Sequence, residues 1–279
     1  MMTLTMSPKT SRLERLTRLI EQTLGRALPE AGRKPPVLHE AMRYCVLNGG
    51  KRFRPLLCLG ACEAVGAPAR RALAVACALE FLHAYSLVHD DLPAMDNADE
   101  RRGQPTCHRK FGEANAILVG DALLTLAFEQ LSHANVPNTR AILHTICQAC
   151  GSQGLIGGQV LDLQMLGHPP SATESLLMAV AEWKTAALLR ASVLAGALAG
   201  GGTPKQLALL RRYGQALGVA FQLIDDVHDG EGLAQAKGLD AARAEARRLI
   251  EQAVKPLAPF GRRAALLQQL AGWLASTIG

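Results

Sequence analysis

Apolar positions recur along the chain at intervals of three and four, the spacing of a helix that buries one stripe. In the first run Leu13, Leu16, Ile20 and Leu24 share a face, with Glu14 and Glu21 among the polar positions, which predicts a helix over 10–28. The same spacing predicts helices over 36–48, 53–65, 70–92, 111–132, 137–166, 173–199, 204–229, 239–256 and 262–277. Stretches rich in glycine and proline, such as NGGKRFRP, GHPPSAT and GGGTPKQ, separate several of these runs. No segment shows a convincing strand pair, and nothing reads as a repeat, a long linker or low-complexity sequence. The expectation is a single all-α domain over residues 1–279.

Composition agrees with the periodicity. Of the 279 residues 49% are hydrophobic but only 4% aromatic, so the apolar mass is leucine and alanine, good helix formers. No apolar run is judged to reach the roughly 18 residues that span a bilayer, and no membrane span is expected. The basic start SPKTSRLERLTRLIEQTLGR lacks the apolar core of a signal peptide. Its glutamates and apolar stripe make it an ordinary first helix rather than a transit peptide. Seven cysteines, an odd number scattered through apolar stretches (Cys45, Cys58, Cys62, Cys77), suggest buried thiols in a reducing, cytoplasmic setting. Cys147 and Cys150 have no second pair to complete a zinc site and read as structural. The net charge of +6 is modest and its basic residues are not mixed with aromatics, which argues against nucleic acid and for a small anionic substrate.

Two acidic clusters change the picture. HAYSLVHDDLPAMDNADERRG, residues 83 to 103, places Asp90, Asp91, Asp96, Asp99 and Glu100 within eleven residues at the end of an apolar helix, then adds Arg101 and Arg102. Pro93 breaks or bends the helix between Asp90 and Asp96, so that Asp96 can swing back towards Asp90. His83 shares the face of Asp90. In FQLIDDVHDG, residues 221 to 230, Gln222, Asp225, Asp226 and Asp229 stand at i, i+3, i+4 and i+7, one stripe of a helix. Like charges at that spacing repel unless a cation offsets them. Mg²⁺ typically takes one or two carboxylates plus substrate phosphates, so two such clusters suggest a cage for a polyphosphate. Lys51, Arg52 and Arg54 beside the Gly49–Gly50 turn can neutralise the remaining phosphate charge. Lys184 and Thr185 in WKTAALLR either face that site or let the lysine reach solvent.

GGKRFRP, ALEFLHAYSLVHDDLPAMDNADERRGQPTCHRKFGEANAILVGDALL, GGQVLDL, KTAALLR and FQLIDDVHD together resemble the trans-polyprenyl diphosphate synthases, above all the bacterial farnesyl diphosphate synthases. The resemblance implies an all-α orthogonal bundle of the isoprenoid synthase type round a central apolar cavity, as a homodimer. It implies a head-to-tail condensation of isopentenyl diphosphate with an allylic diphosphate, dimethylallyl or geranyl, assisted by Mg²⁺, for which Mn²⁺ can substitute. Carried over by position, Asp90, Asp91, Asp96, Asp225, Asp226 and Asp229 are metal ligands. Arg101 holds the allylic diphosphate; Lys51, Arg54, His83 and Arg102 hold isopentenyl diphosphate. Lys184, Thr185 and Gln222 face the allylic cation and its leaving group.

In the family a bulky residue before the first cluster forms the floor under the growing product. Tyr85 stands five residues before Asp90, which implies a C15 product over C20 or longer, with a C10 product left open. One departure concerns DGEGLAQAKGLDAARAEARRLIEQA, where the family's glycine-rich loop with a lysine–threonine pair is shortened at about 230–238, with Lys237 as its one lysine. That segment normally covers the diphosphate, so a slow enzyme is expected, with some cation lost to water. The alternatives are a non-catalytic or weakly active paralogue, which the shortened segment supports, and a class I terpene cyclase, against which GGKRFRP argues.

Overall fold

The structure, a computed structural model, describes residues Ser11 to Leu166 and Thr173 to Gly279. The predicted punctuation GHPPSAT therefore lies, except for Thr173, outside the described residues. The helices are α1 (Arg12–Ala27), α2 (Pro36–Leu47), α3 (Phe53–Ala64), α4 (Leu73–Asp90), α5 (Cys107–Phe111), α6 (Glu113–Ser132), α7 (Thr139–Cys150), α8 (Leu155–Leu166), α9 (Glu174–Val180), α10 (Ala187–Ala199), α11 (Pro204–Asp229), α12 (Gly232–Lys237), α13 (Leu239–Val254) and α14 (Ala265–Ala275). The one extended pairing among the described residues is a two-residue ribbon, β1 (Glu100–Arg101) against antiparallel β2 (Gln104–Pro105).

Three departures from the helical expectation stand out. The run over 137–166 forms two helices, α7 and α8, parted at Gly151, whose N–H closes the last turn of α7 on Cys147 O. The run over 173–199 is interrupted at Ala181–Ala186 by a turn of π-helix. Two short helices, α5 and α12, arise where only connections are expected.

The described chain gathers into two compact units whose segments alternate in sequence: one runs to Arg52 and resumes over His83–Leu126, the other comprises Phe53–Leu82 and Ala127–Gly279. In the first unit α1 is opened by a capping box, Ser11 with Glu14, which satisfies two of the N–H groups a helix start leaves bare. Its buried Ile20 and Leu24 belong to a core that also includes Ala41, Met42 and Val46 of α2. Arg52 is 2% exposed, pairing with Glu21 at 2.6 Å and donating to Val46 O at 2.8 Å. The structure thus makes Arg52 a pin inside this unit, not one of the substrate cations expected beside Gly49–Gly50.

In the second unit α3 and α10 pack face to face in a fully buried core. Leu57, Cys58, Leu59, Ala61 and Cys62 of α3, and Leu188, Leu189, Val193, Ala195 and Ala197 of α10, are fully buried. α11, opened by a capping box of Thr203 and Gln206, is the long helix that carries the second acidic cluster. Two stretches, Ala69–Asp90 and Glu113–Ser132, are long and apolar enough to cross a bilayer, which revises the expectation that no run reaches that length. The first is a core helix, with 72% of its apolar window buried.

Candidate active site

In the first unit the acidic cluster closes on an arginine. Past the end of α4 the chain turns back as the proline at 93 requires, and Asp96 N donates to Asp90 O at 2.9 Å. The return ribbon then presents Arg101. Its Nε donates to both oxygens of Asp91, at 2.9 and 3.0 Å, and its Nη2 to Oδ1 at 2.7 Å. Such a fork fixes both position and plane. Burial pulls the Arg101 pKa down, but the bond and charge of Asp91, with Asp90 and Asp96 beyond it, outweigh this and raise it. The cation is therefore permanent and sits among three carboxylates, which is why arginine follows the acid in sequence.

Arg102 occupies the tip of that ribbon. It and Gly103 have φ of 56° and 72°, the pair of positive values a tight hairpin turn demands. A non-glycine residue held in this region costs on the order of 1 kcal/mol, and here the strain aims the guanidinium at Gly49 O, 2.5 Å away. Arg102 thus reaches the glycine turn that precedes Lys51. Lys51 is exposed and His83 half-buried in this unit, and Tyr85, 5% exposed, sets its ring edge-on to His89. Arg54 is buried at the start of α3, in the second unit.

In the second unit one hydrogen-bonded chain links the predicted residues. Thr185 Oγ1 donates to Gln222 Oε1, Gln222 Nε2 donates to Asp226 Oδ1 at 2.7 Å, and Leu233 N donates to Asp226 Oδ2 at 2.9 Å. Asp226 is 9% exposed; burial raises its pKa, against which the bonds from Gln222 and Leu233 act. Lys184 and Thr185 lie in the π turn, a rare form that concentrates at functional sites. Two glycines make room for its wider backbone. A Cβ on Gly158 would fall 2.2 Å from Lys184 N, and one on Gly218 2.7 Å from the Ala186 Cα.

Sequence reasoning missed Asp162, whose Oδ2 receives Lys184 Nζ at 2.5 Å, and Gln159, a buried amide with neither polar atom hydrogen-bonded. The signal was present in GGQVLDL, where Gly158 and Asp162 are one helical turn apart.

The shortened connection is also built. α11 ends at Gly230 with φ 71°, Gly232 has φ 54° and Gly238 φ 86°; between them α12 buries Leu233 and Ala234, each 1% exposed. Lys237 pairs with Glu174 at 2.6 Å.

Among the described residues no three His, Cys, Asp or Glu side chains form a ready-made metal site. Mg²⁺ does not need one, since it draws most ligands from phosphate and water, and the return of Asp96 onto Asp90 fits that demand. Asp91 and Asp226, expected as metal ligands, each have both oxygens hydrogen-bonded, by Arg101 and by Gln222 with Leu233.

An all-α chain with carboxylates at two helix ends, one set beside the fixed cation Arg101, has the fold of the isoprenoid synthases. Solved structures agree. A farnesyl/geranylfarnesyl diphosphate synthase from Zymomonas mobilis superposes with a TM-score of 0.89 at 35% identity, covering 94% of this chain and 97% of that one. A geranyltransferase from Legionella pneumophila gives 0.89 at 34%, covering 95% and 96%. The chloroplastic geranylgeranyl pyrophosphate synthase of Capsicum annuum is 42% identical, over 91% of this chain and 75% of its own. The family model for polyprenyl synthetase matches residues 35–243. The chain belongs to the polyprenyl synthetase family and is a trans-prenyltransferase.

Proposed function

We propose that the protein condenses isopentenyl diphosphate head-to-tail with an allylic diphosphate to give a short all-trans prenyl diphosphate. The observation that carries this reading is the Arg101–Asp91 fork, which parks a permanent cation beside Asp90 and Asp96. Asp90 and Asp96, and likewise Asp225 with Asp229, would hold Mg²⁺, with Mn²⁺ as a substitute. When bound, the metal supplies charge to the departing diphosphate. Asp91 orients Arg101 onto the same phosphate. Lys51, Arg54, His83 and Arg102 bind isopentenyl diphosphate. Lys184, held by Asp162, and Thr185, held by Gln222, set their polar atoms against the developing cation and its leaving group.

For product length, the similarity to the geranylgeranyl pyrophosphate synthase of Capsicum annuum favours C20. The second reading, C15, is favoured by Tyr85, a buried ring five residues before Asp90 on the helix that bounds product growth in this family. The exposed Ile117 and Leu118 of α6 support the homodimer that the resemblance implies. The test is incubation with labelled isopentenyl diphosphate and each of dimethylallyl, geranyl and farnesyl diphosphate, with and without chelator. Extended products only without chelator support the reading; no extension from any primer overturns it. A geranylgeranyl product selects C20, and a product stopping at farnesyl selects C15.

A further inference from the structure

Within the second unit, the last turns of α7, the turn after it, α10 and the start of α11 line an open cleft of about 740 Å³. It uses none of the residues given roles above. One part of its lining is apolar and made of small side chains, Ala149, Ala187 and Ala191 in a buried cluster with Leu194 beside them, while His144, Gln148 and Gln153 make the remainder mostly polar. Its rim carries Arg190 and Arg211, and no aspartate or glutamate lines it. Arg190 is half-buried and donates to Gln215 Oε1; the Gln215 amide in turn donates to Glu182 at 3.5 Å, a carboxylate outside the lining. Arg211 is exposed and, among the described residues, has no hydrogen bond or ion pair.

Two guanidiniums that share a cleft repel each other, and burying one adds a desolvation cost. Burial and then the charge of Arg211 pull the Arg190 pKa below its ordinary value. A bound anion offsets both costs, and guanidinium forks match phosphate oxygens in pairs. The alanine patch suits hydrocarbon, and the volume falls in the range of roughly 300–1,000 Å³ typical of small-molecule sites.

We propose that this cleft is a binding site for a diphosphate with a short hydrocarbon tail, the head between Arg190 and Arg211 and the tail over Ala149, Ala187, Ala191 and Leu194. Two sources carry such a head, free diphosphate and a prenyl diphosphate; the alanine patch selects the second. An occupant would tie α7, α10 and α11 together. The site rests on the cleft and its charges, so it stands or falls separately from the reaction proposed above.

Cys147 provides a local reporter, because it lines the cleft and is the one exposed cysteine of the seven. The experiment follows its alkylation by mass spectrometry in the full chain, in excess chelator so that metal-dependent binding elsewhere is suppressed. The probes are inorganic diphosphate and the non-ionising farnesyl thiodiphosphate. The tailed probe is expected to slow alkylation about tenfold at ninety per cent occupancy, and bare diphosphate less at equal concentration. Arg211→Glu, at an exposed position, should weaken the probe's apparent affinity by about tenfold or more, equivalent to ~1.4 kcal/mol. Asp225→Ala should leave protection unchanged. The site is refuted if neither probe protects Cys147, if protection survives Arg211→Glu intact, or if it vanishes in Asp225→Ala. Equal protection by bare diphosphate would overturn the tail and assign the cleft to the free anion.

Discussion

Replacing Gly232 by alanine tests how the shortened connection is held. At φ 54° alanine pays about 1–2 kcal/mol that glycine does not. The new Cβ would also lie 2.5 Å from Asp226 Oδ2 and 2.8 Å from its Cγ, so the carboxylate must move. That displacement removes at least the bond from Leu233 N at 2.9 Å, and a hydrogen bond to a charged group contributes roughly 1.5–3 kcal/mol. The sum is about 2.5–5 kcal/mol, comparable with what burying Leu233 and Ala234 returns to so short a helix. α12 should therefore detach before the core of α3, α10 and α11 unfolds. The assay is a double-mutant cycle with Asp226→Ala, read by denaturant midpoint and by proteolytic cleavage between 230 and 238. Without the carboxylate the steric part disappears, and Gly232→Ala should cost only its conformational 1–2 kcal/mol. A coupling energy near zero, or a single variant as stable and protease-resistant as the parent, would refute the reasoning.

Asp90→Ala and Asp225→Ala should each lower kcat on the order of a hundredfold or more with little change in stability, since each also removes like-charge repulsion; full turnover in excess chelator would contradict this. If the product is C15, Tyr85→Ala should shift it to C20 or longer, as read by chromatography of the dephosphorylated products, whereas an unchanged length would place the limit elsewhere. The shortened segment should let water intercept part of the allylic cation, so free allylic alcohol is expected beside the product, and grafting a full-length family loop between Asp229 and Leu239 should reduce it. Burial raises the Cys62 pKa to about 11 and, with help from Cys147, that of Cys150 to about 12. A raised thiol pKa means less thiolate at a given pH, so near pH 8 these two should resist alkylation while exposed Cys147 reacts, with their rates climbing only above pH 10.

Much of this arrangement was legible because helices announce themselves by period. The stripe Gln222, Asp225, Asp226, Asp229 read directly as one face of α11, and Pro93 announced the turn that brings Asp96 back to Asp90. Partnerships between distant segments were not legible. Nothing local distinguishes Asp91 from Asp90, yet the ribbon that delivers Arg101 bonds it to Asp91; the same holds for Asp226, bonded by a backbone N–H seven residues later. α12 escaped notice because three glycines in nine residues read as a loop, whereas each serves a positive φ that lets one helical turn fit between two long helices.

The π turn at Ala181–Ala186 acts as a phase offset. One extra residue in a helical turn rotates everything after it by about 100°, so α9 and α10 belong to different helical registers although their sequence reads as one run. Lys184 and Thr185 sit at the seam, where neither stripe governs which way a side chain points. Deleting one residue there would restore a continuous helix and turn the face that α10 packs against α3 away from it, while Gly158 and Gly218 would be left clearing space for a bulge that no longer exists. Lys184 and Thr185 are thus addressed by a break in periodicity, and that break is shared by three helices at once.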